Sequence, residues 1–193
     1  MHRPATVLVV IILGLTAACT TRSEVVARDT TPVGGASRTA EQKVGVEHNE
    51  TDVAYAHEVS AMHRQAVEMV TMLGNREVSP QVRELAAEIA RDRSDDLVAL
   101  GRLLRAWRVP PHGADFHGNP GELTMREMAD LYALEGPEFE QQWVAKMVAN
   151  HRGAVAMSRA EVDRGLNVAA RELARRLAET QAAQAAALEA VSR

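Results

Sequence analysis

The chain has 193 residues, 46% hydrophobic and 3% aromatic, with a formal net charge of −4 and a single cysteine. That length suits one domain with a real core. The acidic balance argues against a nucleic-acid or anionic-membrane partner, which would need a basic face, and a lone cysteine excludes an intrachain disulfide.

The N-terminus opens with Met1-His2-Arg3-Pro4, then an apolar run from Val7 to Leu15. The run falls short of the ~20 residues that a membrane span requires and has the layout of a secretory h-region. Leu15-Thr16-Ala17-Ala18-Cys19 follows, bringing small residues directly to the cysteine. This resembles the lipobox at which bacterial lipoproteins are cleaved and diacylated, with Thr16 where a Leu is commoner. The expectation is a signal peptide over 1–18 and a lipid anchor, palmitate or similar, on Cys19. The protein would then sit on the extracytoplasmic face of the cell membrane. An ordinary signal peptide cut after Ala18, leaving Cys19 free, or an uncleaved anchor, is the alternative. Losing residues 1–18 removes Arg3 and no acid, so the remainder stands at −5.

Residues 19–50 are rich in Thr, Ser, Gly, Glu and Val, without helical or alternating period, and read as a flexible tether reaching about 30 Å. From Thr51 the pattern changes. Tyr55, Val59, Met62, Ala66, Met69 and Leu73 recur at spacings of four and three, the seam of an amphipathic helix ended by Gly74-Asn75. Ser79-Pro80 supplies an N-cap and a first-turn proline for a second helix. Its seam is Val82, Leu85, Ile89, Leu97, Leu100, Leu104 and Trp107, before Pro110-Pro111. Together they predict a helical hairpin over 51–108.

The connection over 109–138 carries Pro110, Pro111, Gly113, Gly118, Pro120 and Gly121, with His112 and His117 in its loop part. Thr124-Met125-Arg126-Glu127 reads as a capping box opening a short helix. Gly136-Pro137 stops that helix and starts the next long one. The second hairpin, over 139–193, repeats the first at an offset of 88. The offset pairs His63 with His151, Arg64 with Arg152, Met69 with Met157, and Arg83-Glu84-Leu85-Ala86 with Arg171-Glu172-Leu173-Ala174. A shared heptad would align apolar positions without reproducing Arg and Glu, so duplication explains the match. Two hairpins, each with one apolar stripe, bury those stripes as a four-helix bundle, an all-α fold over 51–193.

The repeated core reads Val59-Ser60-Ala61-Met62-His63-Arg64-Gln65-Ala66-Val67-Glu68-Met69 in one copy. In the other it reads Met147-Val148-Ala149-Asn150-His151-Arg152-Gly153-Ala154-Val155-Ala156-Met157. It resembles the Met-x-x-His-His-x-x-Ala-x-x-Met pattern of the domain of unknown function 305 family, from about Asp52 to Val191. The resemblance implies a ferritin-like four-helix bundle in secreted bacterial proteins, some associated with copper, and no established enzyme activity. The chain departs from the pattern: Val59 replaces the leading Met, and Met62 and Asn150 replace the first His of each pair. Where the second arm of family members carries Gln, an acid and Met, this chain has Arg93, Asp96 and Leu100, then Gln181, Gln184 and Leu188.

Helix positions three or four apart share a face, so His and Met at those spacings can converge on an ion inside a bundle. Thioether and imidazole donors suit copper, copper(I) above all. The candidate ligands are His63, His151, Met147, Met62, Met69 and Met157, with Asp96 placed either to orient His63 or to pair with Arg93. Methionine at seam positions also serves as ordinary adaptable core. No Glu is followed three residues later by His, as di-iron bundles require, and no phosphate loop or nucleophile elbow occurs. The chain therefore reads as a non-enzyme. Two functions stand: a surface-held binder of a soft metal ion, copper by donor type, with a reduced ligand set; or a metal-free envelope module that binds another protein or a second copy of itself.

Overall fold

The computed structural model describes residues 45–111 and 118–191. The expected signal peptide, Cys19, His112, His117 and most of the expected tether lie outside the described residues. Among the described residues the long and short helices run in order: α1 (Glu50–Leu73), α2 (Pro80–Trp107), α3 (Met125–Ala133), α4 (Gly136–Arg164) and α5 (Val168–Val191). α1 packs on α2 and α4, and α5 packs on α4 and α2, so the four long helices close into a ring while the short α3 lies on α4. This is the all-α four-helix bundle that the duplicated seam predicts.

The helix starts follow from local chemistry. Ser79 caps α2, accepting from the Val82 amide at 3.3 Å, with Pro80 in the first turn. Thr124 and Glu127 form the capping box of α3, where the Thr124 amide and hydroxyl hold the Glu127 carboxyl below the usual carboxylate range. α1 has a capping box that sequence reading passed over: Asn49 Oδ1 accepts from the Asp52 amide at 3.0 Å, and Asp52 Oδ2 accepts from the Asn49 amide at 2.6 Å. The bundle also begins ahead of Thr51. Asn167 Nδ2 donates to the carbonyls of Glu47 (2.8 Å) and Gly45 (3.3 Å), and the His48 ring stacks on Trp107 at 5.0 Å.

The connection is fastened across α1 and α4. Gln65 brackets Leu123, donating to its carbonyl and accepting from its amide, both at 2.7 Å. At the equivalent position of the second copy stands Gly153, where a Cβ would fall 1.7 Å from the Pro120 oxygen. One copy thus reaches for the connection and the other makes room for it.

The core divides into two apolar clusters. One gathers Met69, Leu73, Val82, Ile89, Phe139, Trp143, Met147 and Leu188, with Met128 and Leu131 of α3. The other gathers Tyr55, Val59, Leu100, Leu104, Trp107, Leu173 and Leu177. Burial of each large side chain contributes roughly 1.5–3 kcal/mol. On every long helix a polar residue falls between members of the two clusters: His63 on α1, Arg93 on α2, His151 on α4, and Gln181 and Gln184 on α5. All five are buried.

Candidate metal centre in the buried polar layer

His63 and His151 occupy equivalent places in the two repeats, and each meets the equivalent partner. His63 Nε2 lies 3.2 Å from Asp96 Oδ2, and His151 Nε2 lies 3.2 Å from Gln184 Oε1. Asp96 and Gln184 are themselves related by the offset of 88, so the duplication extends to the hydrogen-bonded pairs.

The centre of the layer belongs to Arg93. Its Nη1 lies 3.3 Å from His63 Nε2 and donates to Asp96 Oδ2 at 2.8 Å, while Nη2 donates to Gln184 Oε1 at 2.5 Å. Gln184 then donates through Nε2 to Asp92 (2.7 Å) and Glu88 (3.3 Å). A continuous network therefore runs from His63 through Arg93 and Gln184 to His151. Asp96 fills both of its expected roles, facing His63 and pairing with Arg93. A wholly buried guanidinium costs several kcal/mol unless it is paired, and Asp96 and Gln184 supply that pairing.

Burial dominates the proton chemistry. It pushes His63 down to about 4, opposed by the Asp96 hydrogen bond and reinforced by the Arg93 charge. It pushes His151 down to about 3, again helped by Arg93 and opposed by Gln184. Both imidazoles are therefore neutral at neutral pH, the form that binds metal. His151 Nε2 faces a carbonyl oxygen and so carries the proton. His63 Nε2 faces a donor and an acceptor, and its tautomer decides between them: protonated on Nδ1 it accepts from Arg93, protonated on Nε2 it donates to Asp96.

Several polar atoms in the layer have no hydrogen-bond partner of normal geometry: His63 Nδ1, His151 Nδ1, Arg93 Nε and both ends of the Gln181 amide. The Met147 carbonyl, one turn back, lies close enough to His151 to favour a proton on it. Buried polar atoms left this way are unusual and call for a partner. In donor type and protonation the layer fits a soft ion. In charge it does not, because a guanidinium already stands in the centre. Among the described residues no group of three or more His, Cys, Asp or Glu is placed to hold an ion.

The candidate methionines are distributed over the core. Met69 and Met147 belong to the first apolar cluster, and Met157 packs half-buried against the second. Met62 is buried one residue from His63, and its carbonyl accepts from Asn150 Nδ2 at 3.3 Å. Asn150, standing where the family pattern has a His, thus ties α4 to α1. The central place of Arg93 was missed in the sequence, although a signal existed. The seam of α2 steps from Ile89 to Leu97, and Arg93 is the residue that fills the gap.

A second buried polar group lies where α1 begins and α4 turns into α5. Asp52 accepts from the amides of Asn49, Leu166 (3.1 Å) and Asn167 (2.9 Å), and Asn49 Nδ2 donates to the Arg164 carbonyl at 2.9 Å. Burial alone would raise Asp52, but these donors outweigh it and hold it below the usual carboxylate range. Glu161 is wholly buried beside it, with no donor to either carboxyl oxygen. Burial, followed by contact with Asp52, pushes Glu161 up to about 8. Both observations agree if Glu161 keeps its proton and donates it to Asp52.

Residues 52–192 match the family profile described as Domain of unknown function (DUF305). A candidate secreted DUF305 protein from Streptomyces coelicolor superposes with a TM-score of 0.65 at 30% identity, covering 72% of this chain and 89% of that one. A DUF305 fragment from Deinococcus radiodurans gives 0.69 at 24% identity, covering 75% and 96%. CopM in its Cu(II)-bound form gives 0.63 at 18% identity, covering 73% and 95%. At those identities the last two show a shared fold. No curated protein matches the chain significantly.

Proposed function

The chain belongs to the DUF305 family, and we propose that it is an extracytoplasmic, lipid-held member that takes up a soft metal ion, copper by donor chemistry, weakly at the His63–His151 layer. The observation that carries this reading is the pair of buried, neutral imidazoles joined through one polar network. His63 and His151 would hold the ion, with Met62 and Met147 as the nearest thioethers in sequence and Asp96 as a second-sphere carboxylate. The copper-bound state of CopM makes copper the ion to test. The extracytoplasmic placement rests on the sequence of the first 19 residues and on the likeness to a candidate secreted relative. No described helix is long and apolar enough to cross a membrane, and attachment is assigned to lipid on Cys19. We assign no catalytic step.

A second reading is favoured by Arg93. If the guanidinium serves permanently as the layer's cation, the bundle is a metal-free module acting through its surface on an envelope protein or a second copy. Copper(I) titration of the purified protein against a competing chelator separates the two. The metal reading expects binding tighter than that of the His63→Ala, His151→Ala double variant, and equal binding by both proteins defeats it.

A further inference from the structure

We infer that Arg93 is a resident cation that closes the polar layer, so that an incoming ion must displace it; the ligand in this inference rests on the function proposed above. Arg93 stands at the position equivalent to Gln181, so only one of the two repeats carries the charge. Its two Nη atoms nevertheless reach both halves, touching His63 on one side and the Gln184 partner of His151 on the other.

The charges around it fix what can replace it. Asp96 pairs with Arg93 directly, and Asp92 and Glu88 are joined to it through Gln184. Any cation taking the place of the guanidinium meets these same carboxylates. The incoming group must therefore be a cation, and copper, which imidazole donors suit, is the one to test. No bond is made or broken in the protein, and no electron moves.

Displacement is feasible for two structural reasons. Arg93 Nε is buried without a hydrogen-bond partner, so the resting state is not fully satisfied. Asp96, its ion-pair partner, has a side chain 16% exposed. Solvent therefore reaches the layer beside Arg93, and the guanidinium can swing outward past Asp96, which stays behind to face the ion, because long basic side chains carry their charge to water along an apolar stem.

The test compares the wild type with Arg93→Gln, which makes the repeats alike, and with Arg93→Leu, which removes the charge without adding a donor. Copper(I) affinity is measured against a competing chelator, alongside melting temperature with and without copper(I). We expect both variants to bind at least tenfold tighter than wild type, with the gain lost when His63→Ala and His151→Ala are added. We also expect copper(I) to raise their melting temperatures more than that of wild type. Binding by the variants without binding by wild type supports the inference and shows the native layer to be locked, which defeats the proposed native function alone. Wild-type binding that neither substitution improves overturns the inference and leaves the proposed function standing. Variants that bind no better than the His63→Ala, His151→Ala protein also overturn it.

Discussion

Replacing Glu161 with Gln should flatten the alkaline side of the protein's stability profile. Glu161 is wholly buried against Asp52, whose oxygens are already taken by the amides of Asn49, Leu166 and Asn167. Arg171 is the cation that opposes the shift, and Tyr55 on α1 feels the Glu161 charge. The protonated form is the one that folds well, with Glu161 raised from 4.5 to about 8. Its stabilisation is complete below the unfolded value, declines above it and is gone once pH passes about 8. The full shift corresponds to about 1.4 kcal/mol per pH unit, or roughly 2 kcal/mol between pH 6.5 and 8. Relaxation of the turn as Glu161 ionises should reduce this to ~1 kcal/mol. The window starts at pH 6.5 because below it His63 and His151, with lowered values, remove stability as pH falls and would mask the effect. Urea unfolding followed by circular dichroism from pH 6.5 to 9 checks the reasoning. Wild type should lose about 1 kcal/mol while Glu161→Gln, whose amide still donates to Asp52, should vary by less than ~0.3 kcal/mol. A parallel decline in both proteins, or a flat wild-type profile, refutes the shared proton.

Two further outcomes are expected. Gly153→Ala should lower stability by about 2 kcal/mol or more, because its Cβ would lie 1.7 Å from the Pro120 oxygen and force the connection off α4; thermal melting measures this, and an unchanged midpoint would mean that the crossing is not fixed there. Cys19→Ser should abolish diacylation, moving the protein from the membrane fraction to the extracytoplasmic soluble fraction and removing the lipid from its mass. An identical distribution of both proteins would discard the anchor.

The fold was legible because seam spacing and capping residues are local signals. Every residue of the α1 seam, from Tyr55 to Leu73, is buried, and both expected N-caps, Ser79 and Thr124, make their bonds. The duplication was legible too, since Arg and Glu repeat at the same offset as the apolar residues. The interior chemistry was legible only in part. Periodicity places His63 and His151 inside, yet whether Arg93 turns inward depends on Asp96, one turn away, and on Gln184, ninety-one residues away in sequence. Glu161 gave no signal, because a glutamate near a helix end is ordinarily solvated; its burial follows from Asp52, which comes from the opposite end of the domain's sequence. Asn150 is legible as a missing ligand and becomes a cross-link only when the Met62 carbonyl is set before it.

The fastening of Gly45, Glu47 and Asn49 to Asn167 and Arg164 has a mechanical side. A protein held by its N-terminus feels any pull first where the chain enters the bundle. With the anchor proposed at Cys19, that load would meet bonds to the α4–α5 turn before it reached the first turn of α1. The force is divided among three helices and applied to several bonds together, instead of unwinding one helix a turn at a time. The weakest mode of failure for a leashed helix, peeling from its end, is thereby guarded at the end that the leash would pull.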